Sequence, residues 1–296
     1  MFGGLFKKKT SKSSDKFEIE EEPDDDTDSG LLNSLKLHLS RLIAYAESAD
    51  IKLQREVAEK LANEAVKPER QKQIVEYGGL RLLIPLTKSV DVEVQRLAAH
   101  ALANLSVNAD NQVLMAKEGG IEMLIGLLDN DHELIQRQSA KALANLGVNT
   151  DNKRAIALKG GISKLIRLAG ATQLSVKIEA IAALANLAVN DANELEIVQY
   201  NGLVPIVGGM AEAVAMLFRH TGYQGEVRDY SNYEELAAQC ARALRNLSVN
   251  AQNKAAIIRL DAIVHLRALT ELSNERISQQ ARRALRNLDY EAGAKK

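Results

Sequence analysis

The sequence predicts an all-α solenoid of stacked helical repeats, and three observations carry that expectation. The stretch Ala99-His100-Ala101-Leu102-Ala103-Asn104-Leu105-Ser106-Val107-Asn108 returns at 140–149, 181–190 and 241–250, and more faintly around Asn63 and Asn287. Its key asparagines, at 63, 104, 145, 186, 246 and 287, are spaced by 41, 41, 41, 60 and 41 residues. A fixed period of about 40 residues marks stacked units sharing one elongated core. The composition agrees: 46% of residues are apolar, only 4% are aromatic, and tryptophan is absent. Such a core is made of Ala, Leu, Ile and Val, which suits closely packed helices.

Charge and targeting exclude several classes. The net charge is −1, with five lysines and nine acids in residues 1–29 (−4), so the remainder carries +3. That is far from the strongly basic domain of a nucleic-acid binder. One cysteine, Cys240, excludes an internal disulfide framework and predicts a reducing compartment. No apolar run approaches the roughly 18 residues of a membrane span. The first residues predict neither a secretory signal nor N-myristoylation, because Phe2 follows Met1. A cytoplasmic location is expected, with nuclear or membrane-peripheral placement as variants.

In chain order, Met1–Lys9 is a short apolar tip followed by lysines. It reads either as a weak peripheral membrane contact or as a disordered tail. Glu18 to Asp28 holds eight acids in eleven residues and predicts an extended chain. The expected organisation is a disordered tail over 1–30 and a repeat domain over 31–291, with a C-terminal tail over 292–296. The domain divides into a partial repeat at 31–67 and full repeats at 68–108, 109–149, 150–190, 191–250 and 251–291. The fourth full repeat carries an insertion at about 208–235. In the partial repeat, the apolar positions Ala101 and Leu105 are replaced by Lys60 and Glu64, as an exposed terminal unit requires.

Each unit predicts three helices. The first is opened by a capping asparagine (Asn108, Asn149, Asn190, Asn250) or, in one unit, by Pro68 at its start. It ends at Gly78-Gly79, Gly119-Gly120 or Gly160-Gly161, replaced later by Asn201-Gly202 and Asp261-Ala262, all compatible with a left-handed turn. Second helices follow at 80–88, 121–128, 162–169, 203–210 and 263–272. Met210 to Phe218 is read as prolonging one of them, and His220 to Asn232 as a loop. The third and longest helix holds the repeated Ala-Leu-x-Asn segment.

These features resemble the armadillo repeat family: the 41-residue unit, the Gly-Gly turn and the Ala-Leu-x-Asn-Leu-x-Val-Asn ending. The resemblance covers 31–291, departing in the last unit where Asp289-Tyr290 replaces Ser-Val. It implies a right-handed superhelix whose third helices line a concave groove that binds extended peptide segments. The residues matching the family's peptide-binding asparagines are Asn104, Asn145, Asn186, Asn246 and Asn287. These side chains have two roles open to them: bonding a bound main chain, or joining neighbouring repeats.

Positions four and eight before each asparagine share its helix face. They supply Arg96, His100, Arg137, Lys141, Arg242 and Arg283 as candidate groove residues, alongside Arg55, Ile178, Ala182, Ala238 and Gln279, with Glu59 the single acid. In the importin-α branch of the family, tryptophans stand four before the asparagine and bracket basic cargo. This chain has none, so the resemblance leans toward the β-catenin style of groove and an acidic ligand. No metal, cofactor or catalytic constellation is read. The expected function is a non-enzymatic scaffold or adaptor binding an extended acidic segment of another protein. The alternatives are a nuclear-import-type carrier of basic cargo and a membrane-tethered structural scaffold. The acidic block over 18–28 is also expected to fold back on the early part of the groove, or else to serve solubility alone.

Overall fold

The computed structural model describes residues 30–218 and 229–290. Seventeen α-helices and no strand occur among the described residues. The chain divides into two compact units, Met1–Leu114 and Met115–Lys296.

The first unit contains α1 (Gly30–Ala46), α2 (Ile51–Ala65), α3 (Pro68–Glu76), α4 (Gly79–Leu86) and α5 (Val92–Leu105). α1 is broken at His38 (φ −133°, ψ 26°). The segment after the break lies one period before α4, in agreement with a second-helix segment there. α2 packs along α5, and α1 closes on α2 and α4. Leu35, Leu42, Leu61, Leu82, Leu83, Leu102 and Leu105 are fully buried. Lys60 and Glu64 stay half-buried and paired, Lys60 with Glu56 at 3.0 Å and Glu64 with Lys67 at 3.0 Å.

A boundary helix, α6 (Ala109–Lys117), leads into the second unit. That unit continues with α7 (Gly120–Leu127), α8 (Glu133–Leu146), α9 (Thr150–Leu158), α10 (Gly161–Ala169), α11 (Leu174–Leu187) and α12 (Asp191–Gln199). α13 (Leu203–Phe218), α14 (Ser231–Leu247), α15 (Ala251–Arg259), α16 (Ala262–Thr270) and α17 (Glu275–Asn287) complete it. The third helices α8, α11, α14 and α17 pack in sequence order, each against the next. Alanine makes this possible: Ala180, Ala183 and Ala185 of α11 are fully buried, so the backbones approach closely.

The punctuation is as the sequence predicts. Gly160 has φ 77°, and a Cβ on Gly161 would lie 2.8 Å from the Ile156 carbonyl oxygen, so each glycine of the pair is needed for a different reason. Asn201 (φ 60°) and Asp261 (φ 56°) take the left-handed turn where glycine is missing. Asn149 Oδ1 accepts from the Asp151 and Asn152 amides at 3.0 and 3.2 Å. Asn108, Asn190 and Asn250 cap their helices in the same way.

In the enlarged repeat α13 does run on to Phe218, and the Lys177–Glu212 ion pair ties it to α11. One boundary is corrected: Ser231 and Asn232, expected in the loop, form the first turn of α14, where the Ser231 amide donates to Asp229 Oδ1 at 2.9 Å. The expected loop over 220–228 lies outside the described residues. So do the Met1–Lys9 tip, the acidic block with its expected fold-back, and the 292–296 tail. No single described helix is long and apolar enough to cross a membrane.

Cys240 of α14 is fully buried, and burial pushes its thiol well above the ordinary range. Only the thiolate reacts readily. The native protein should therefore resist Ellman's reagent and label only on unfolding. Labelling of the folded protein at the rate of a free thiol would contradict this packing.

Candidate peptide-binding face

The third helices end on the repeated asparagines, and in the second unit the structure shows what these side chains do. Asn186 Nδ2 donates to the Ala144 carbonyl of α8 at 2.7 Å. Asn246 Nδ2 donates to the Ala185 carbonyl of α11 at 2.7 Å, and Asn287 Nδ2 to the Arg245 carbonyl of α14 at 2.9 Å. Each amide thus reaches the neighbouring third helix one residue before that helix's own asparagine. The carbonyls it meets lie in a last turn, where helical donors run out: the Val148 and Val189 amides bond to Asn145 and Asn186 instead. Joining of neighbouring repeats is therefore an observed role of Asn186, Asn246 and Asn287.

The same amides are only partly used. Oδ1 of Asn186 and of Asn287 has no hydrogen-bond partner among the described residues. Oδ1 of Asn246 accepts from Arg245 Nε and Nη2 at 3.0 and 2.7 Å. Asn145 is half-buried at the corresponding end of α8, and in the first unit Asn104 Nδ2 lies 3.2 Å from His100 Nε2.

The cations differ along the chain. In the first unit they are matched by acids: Arg55 pairs with Asp91 at 2.6 Å, and Arg96 grips Glu93 through two hydrogen bonds of 2.6 and 2.8 Å. Both acids are held below the usual carboxylate range, first by those hydrogen bonds. In the second unit, Arg137 and Lys141 of α8 share the field of Glu179 on α11, an acid the sequence reading passed over. Desolvation raises the Glu179 carboxyl despite these two cations.

A group whose folded pKa is raised loses stability as pH rises through that pKa. Glu179→Gln should accordingly raise the melting temperature at pH 7, with the difference vanishing below about pH 4, where glutamate is neutral in either state. A melting temperature lowered at pH 7 would mean that Glu179 instead holds the two cations in place.

Arg242 corrects an expectation. It does not stand free on the face: its Nη2 donates to the Ala182 carbonyl at 3.1 Å, and its Nε is buried without a partner among the described residues. Desolvation lowers its guanidinium from the ordinary value, helped by Arg245 and Arg276. The exposed cations nearby are Arg283, which the groove register supplies, and Arg286, which lies outside that register. With Arg245, Asn246, Val249 and Asn287 they line a cleft of about 270 Å³ between α14 and α17.

Arg245 is fixed by Asn246 Oδ1 and by Gln280 Oε1 at 2.8 Å. Desolvation and the charge of Arg283 both lower its guanidinium. The missed signal is in the sequence: Arg-Ala-Leu-Arg-Asn stands at 242–246 and again at 283–287. Where Arg245 and Arg286 stand, earlier units carry the buried alanines Ala103, Ala144 and Ala185.

A second set of asparagines is wholly structural. Asn111 Nδ2 donates to the Gln71 and Leu105 carbonyls at 2.9 and 3.1 Å within the first unit. Asn193 Nδ2 does the same to Lys153 and Leu187 at 3.0 and 3.4 Å in the second. Among the described residues no group of three or more His, Cys, Asp or Glu side chains is placed to hold a metal ion.

Repeats of three helices, stitched by asparagines and presenting a polar third-helix face, define a helical-repeat interaction scaffold. The chain belongs to the armadillo repeat family: the family model for the armadillo/beta-catenin-like repeat matches residues 67–107 and 108–148. Among solved structures, an engineered protein is 30% identical with a TM-score of 0.71, covering 85% of this chain and 96% of its own. A designed armadillo repeat protein is 23% identical with a TM-score of 0.72, covering 85% and 100%. Another, in complex with the peptide (KR)4, is 23% identical with a TM-score of 0.70, covering 85% and 99%. No curated protein matches the sequence.

Proposed function

We infer that this protein is a non-enzymatic scaffold that binds an extended, acidic segment of a partner protein along its third-helix face. The observation that carries the reading is the pairing of half-used asparagine amides with unneutralised cations. Asn186 and Asn287 keep an open carbonyl, which can take an N–H of a bound strand. An amide both donates and accepts, so the donor can join repeats while the acceptor serves a ligand. Main-chain bonds of this kind hold a strand, and side-chain charge then selects it. The designed armadillo protein binds a basic peptide. Here Lys141, Arg245, Arg283 and Arg286 would repel such a ligand and attract its opposite.

The test is main-chain methylation. A fluorescein-labelled alternating Asp-Glu octapeptide should bind at least tenfold tighter than its twin N-methylated at alternate residues. Asn186→Ala should shrink that ratio. Equal affinity for the two peptides would remove the asparagines from the binding role.

A further inference from the structure

Deepening the peptide-binding reading and resting on it, we propose that the cleft lined by Arg245, Arg283, Arg286, Asn246 and Asn287 is a phosphate-binding cradle that receives a phosphorylated side chain of the bound segment. Five features point there. No carboxylate lines the cleft, and the acid nearest in sequence, Asp289, is occupied by Lys254 at 2.9 Å. The cations are placed by a repeated motif, Arg-Ala-Leu-Arg-Asn, that only the last two units possess. Its two arginines are three apart and so lie on one side of their helix.

Arg245 lines the cleft and is held by three hydrogen bonds to neutral acceptors, which leaves two of its five N–H groups for a ligand at little further cost in ordering. Arg283 and Arg286 are exposed, without an ion-pair partner among the described residues, and can swing onto a ligand. Finally, a volume of about 270 Å³ holds a tetrahedral oxyanion together with several waters of about 30 Å³ each.

A carboxylate brings one charge and two oxygens to this site. A phosphate monoester brings about −1.5 to −2 charges and three acceptor oxygens at neutral pH, enough to engage all three guanidinium forks. Three cations facing one volume repel one another, and the dianion relieves this more fully than a single carboxylate. The other cations of the described face do not offer the same arrangement. Arg55 and Arg96 are matched by acids, and Arg137 and Lys141 share Glu179.

Two measurements on the full chain test this. Inorganic phosphate, titrated against acetate at matched ionic strength, should saturably shift the Nε–Hε signals of Arg245, Arg283 and Arg286, and the response should vanish in the Arg283→Gln/Arg286→Gln variant. Separately, a labelled twelve-residue Gly/Ser/Glu peptide carrying one phosphoserine should bind at least tenfold tighter than its serine twin. That ratio should drop below twofold in the double variant. Lys141→Gln should weaken both peptides and leave the ratio unchanged. The preference should also fade as pH drops through about 6, where the phosphate takes up its second proton.

Saturable phosphate binding without binding of either peptide would retain the cradle and remove the peptide reading. Peptides bound with a ratio near one would overturn the proposal. So would phosphate that fails to saturate the wild-type protein, or that binds the double variant equally. A preference for a single-stranded oligonucleotide over the phosphopeptide would also overturn it, since the ligand would then be a different macromolecule.

Discussion

Asn193→Ala is expected to lower the stability of the second unit by about 2 kcal/mol, because one buried side chain donates two hydrogen bonds worth about 1 kcal/mol each. Asn193 is fully buried, and its Nδ2 serves both Lys153 and Leu187, near the two ends of the preceding repeat. The substitution therefore weakens the interface between two neighbouring repeats. In a protein held by nearest-neighbour contacts, that also loosens cooperativity. Asn190→Ala, three residues earlier, removes only a helix cap and should cost about 1 kcal/mol. Urea unfolding of the two variants would measure the contrast. Asn111→Ala makes the same change in the first unit, where Gln71 and Leu105 are the acceptors. A loss for Asn193→Ala no larger than for Asn190→Ala would show that these carbonyls find other donors.

The fold was legible because the repeat constrains every unit at once. Gly78, Gly119 and Gly160 announced a left-handed turn, and their register located the same turn at Asn201 and Asp261, where the residue type alone is ambiguous. Asn193 was legible in principle, since Asn111, Asn152, Asn193 and Asn253 recur in step with the caps. Its double bond was not, because one acceptor lies forty residues away.

The face was read through positions four and eight before each key asparagine. That register finds Lys141 and Arg283 but omits Glu179, seven before Asn186 and on the same side of the helix. It also omits Arg245 and Arg286, each one residue before its asparagine; Arg286 neighbours Arg283 on α17, and Arg245 meets them only because α14 and α17 pack together. The burial of Arg242 followed from no pattern in its own helix, since its acceptor is the Ala182 carbonyl of α11.

The burial of Arg242 decides how the sign of the face should be reversed. Arg242→Glu would place a carboxylate beside the Ala182 carbonyl and would unsettle the fold. Lys141→Glu with Arg283→Glu avoids this: Lys141 is half-buried, Arg283 is exposed, and neither makes an ion pair among the described residues. Arg283→Glu should stay within about 0.5 kcal/mol as a surface substitution, while Lys141→Glu also removes a cation facing Glu179 and should cost about 1 kcal/mol more. Each reversal changes the local charge by two, so the variant face should invert its preference between acidic and basic ligands. Because exposed charges are screened over about 8–10 Å at moderate salt, the inversion should be largest at low ionic strength.

The decisive measurement is fluorescence anisotropy of two labelled octapeptides, alternating Asp-Glu and alternating Lys-Arg, against the wild-type chain and this double variant at 50 and 500 mM salt, the ionic strengths being roughly those that leave and remove long-range attraction. The wild-type protein should bind the acidic peptide at least tenfold tighter than the basic one at low salt, with the gap narrowing at high salt and the order reversing in the variant. A wild-type preference for the Lys-Arg peptide, or equal affinity for both at low salt, would contradict the assignment of this face to acidic partners.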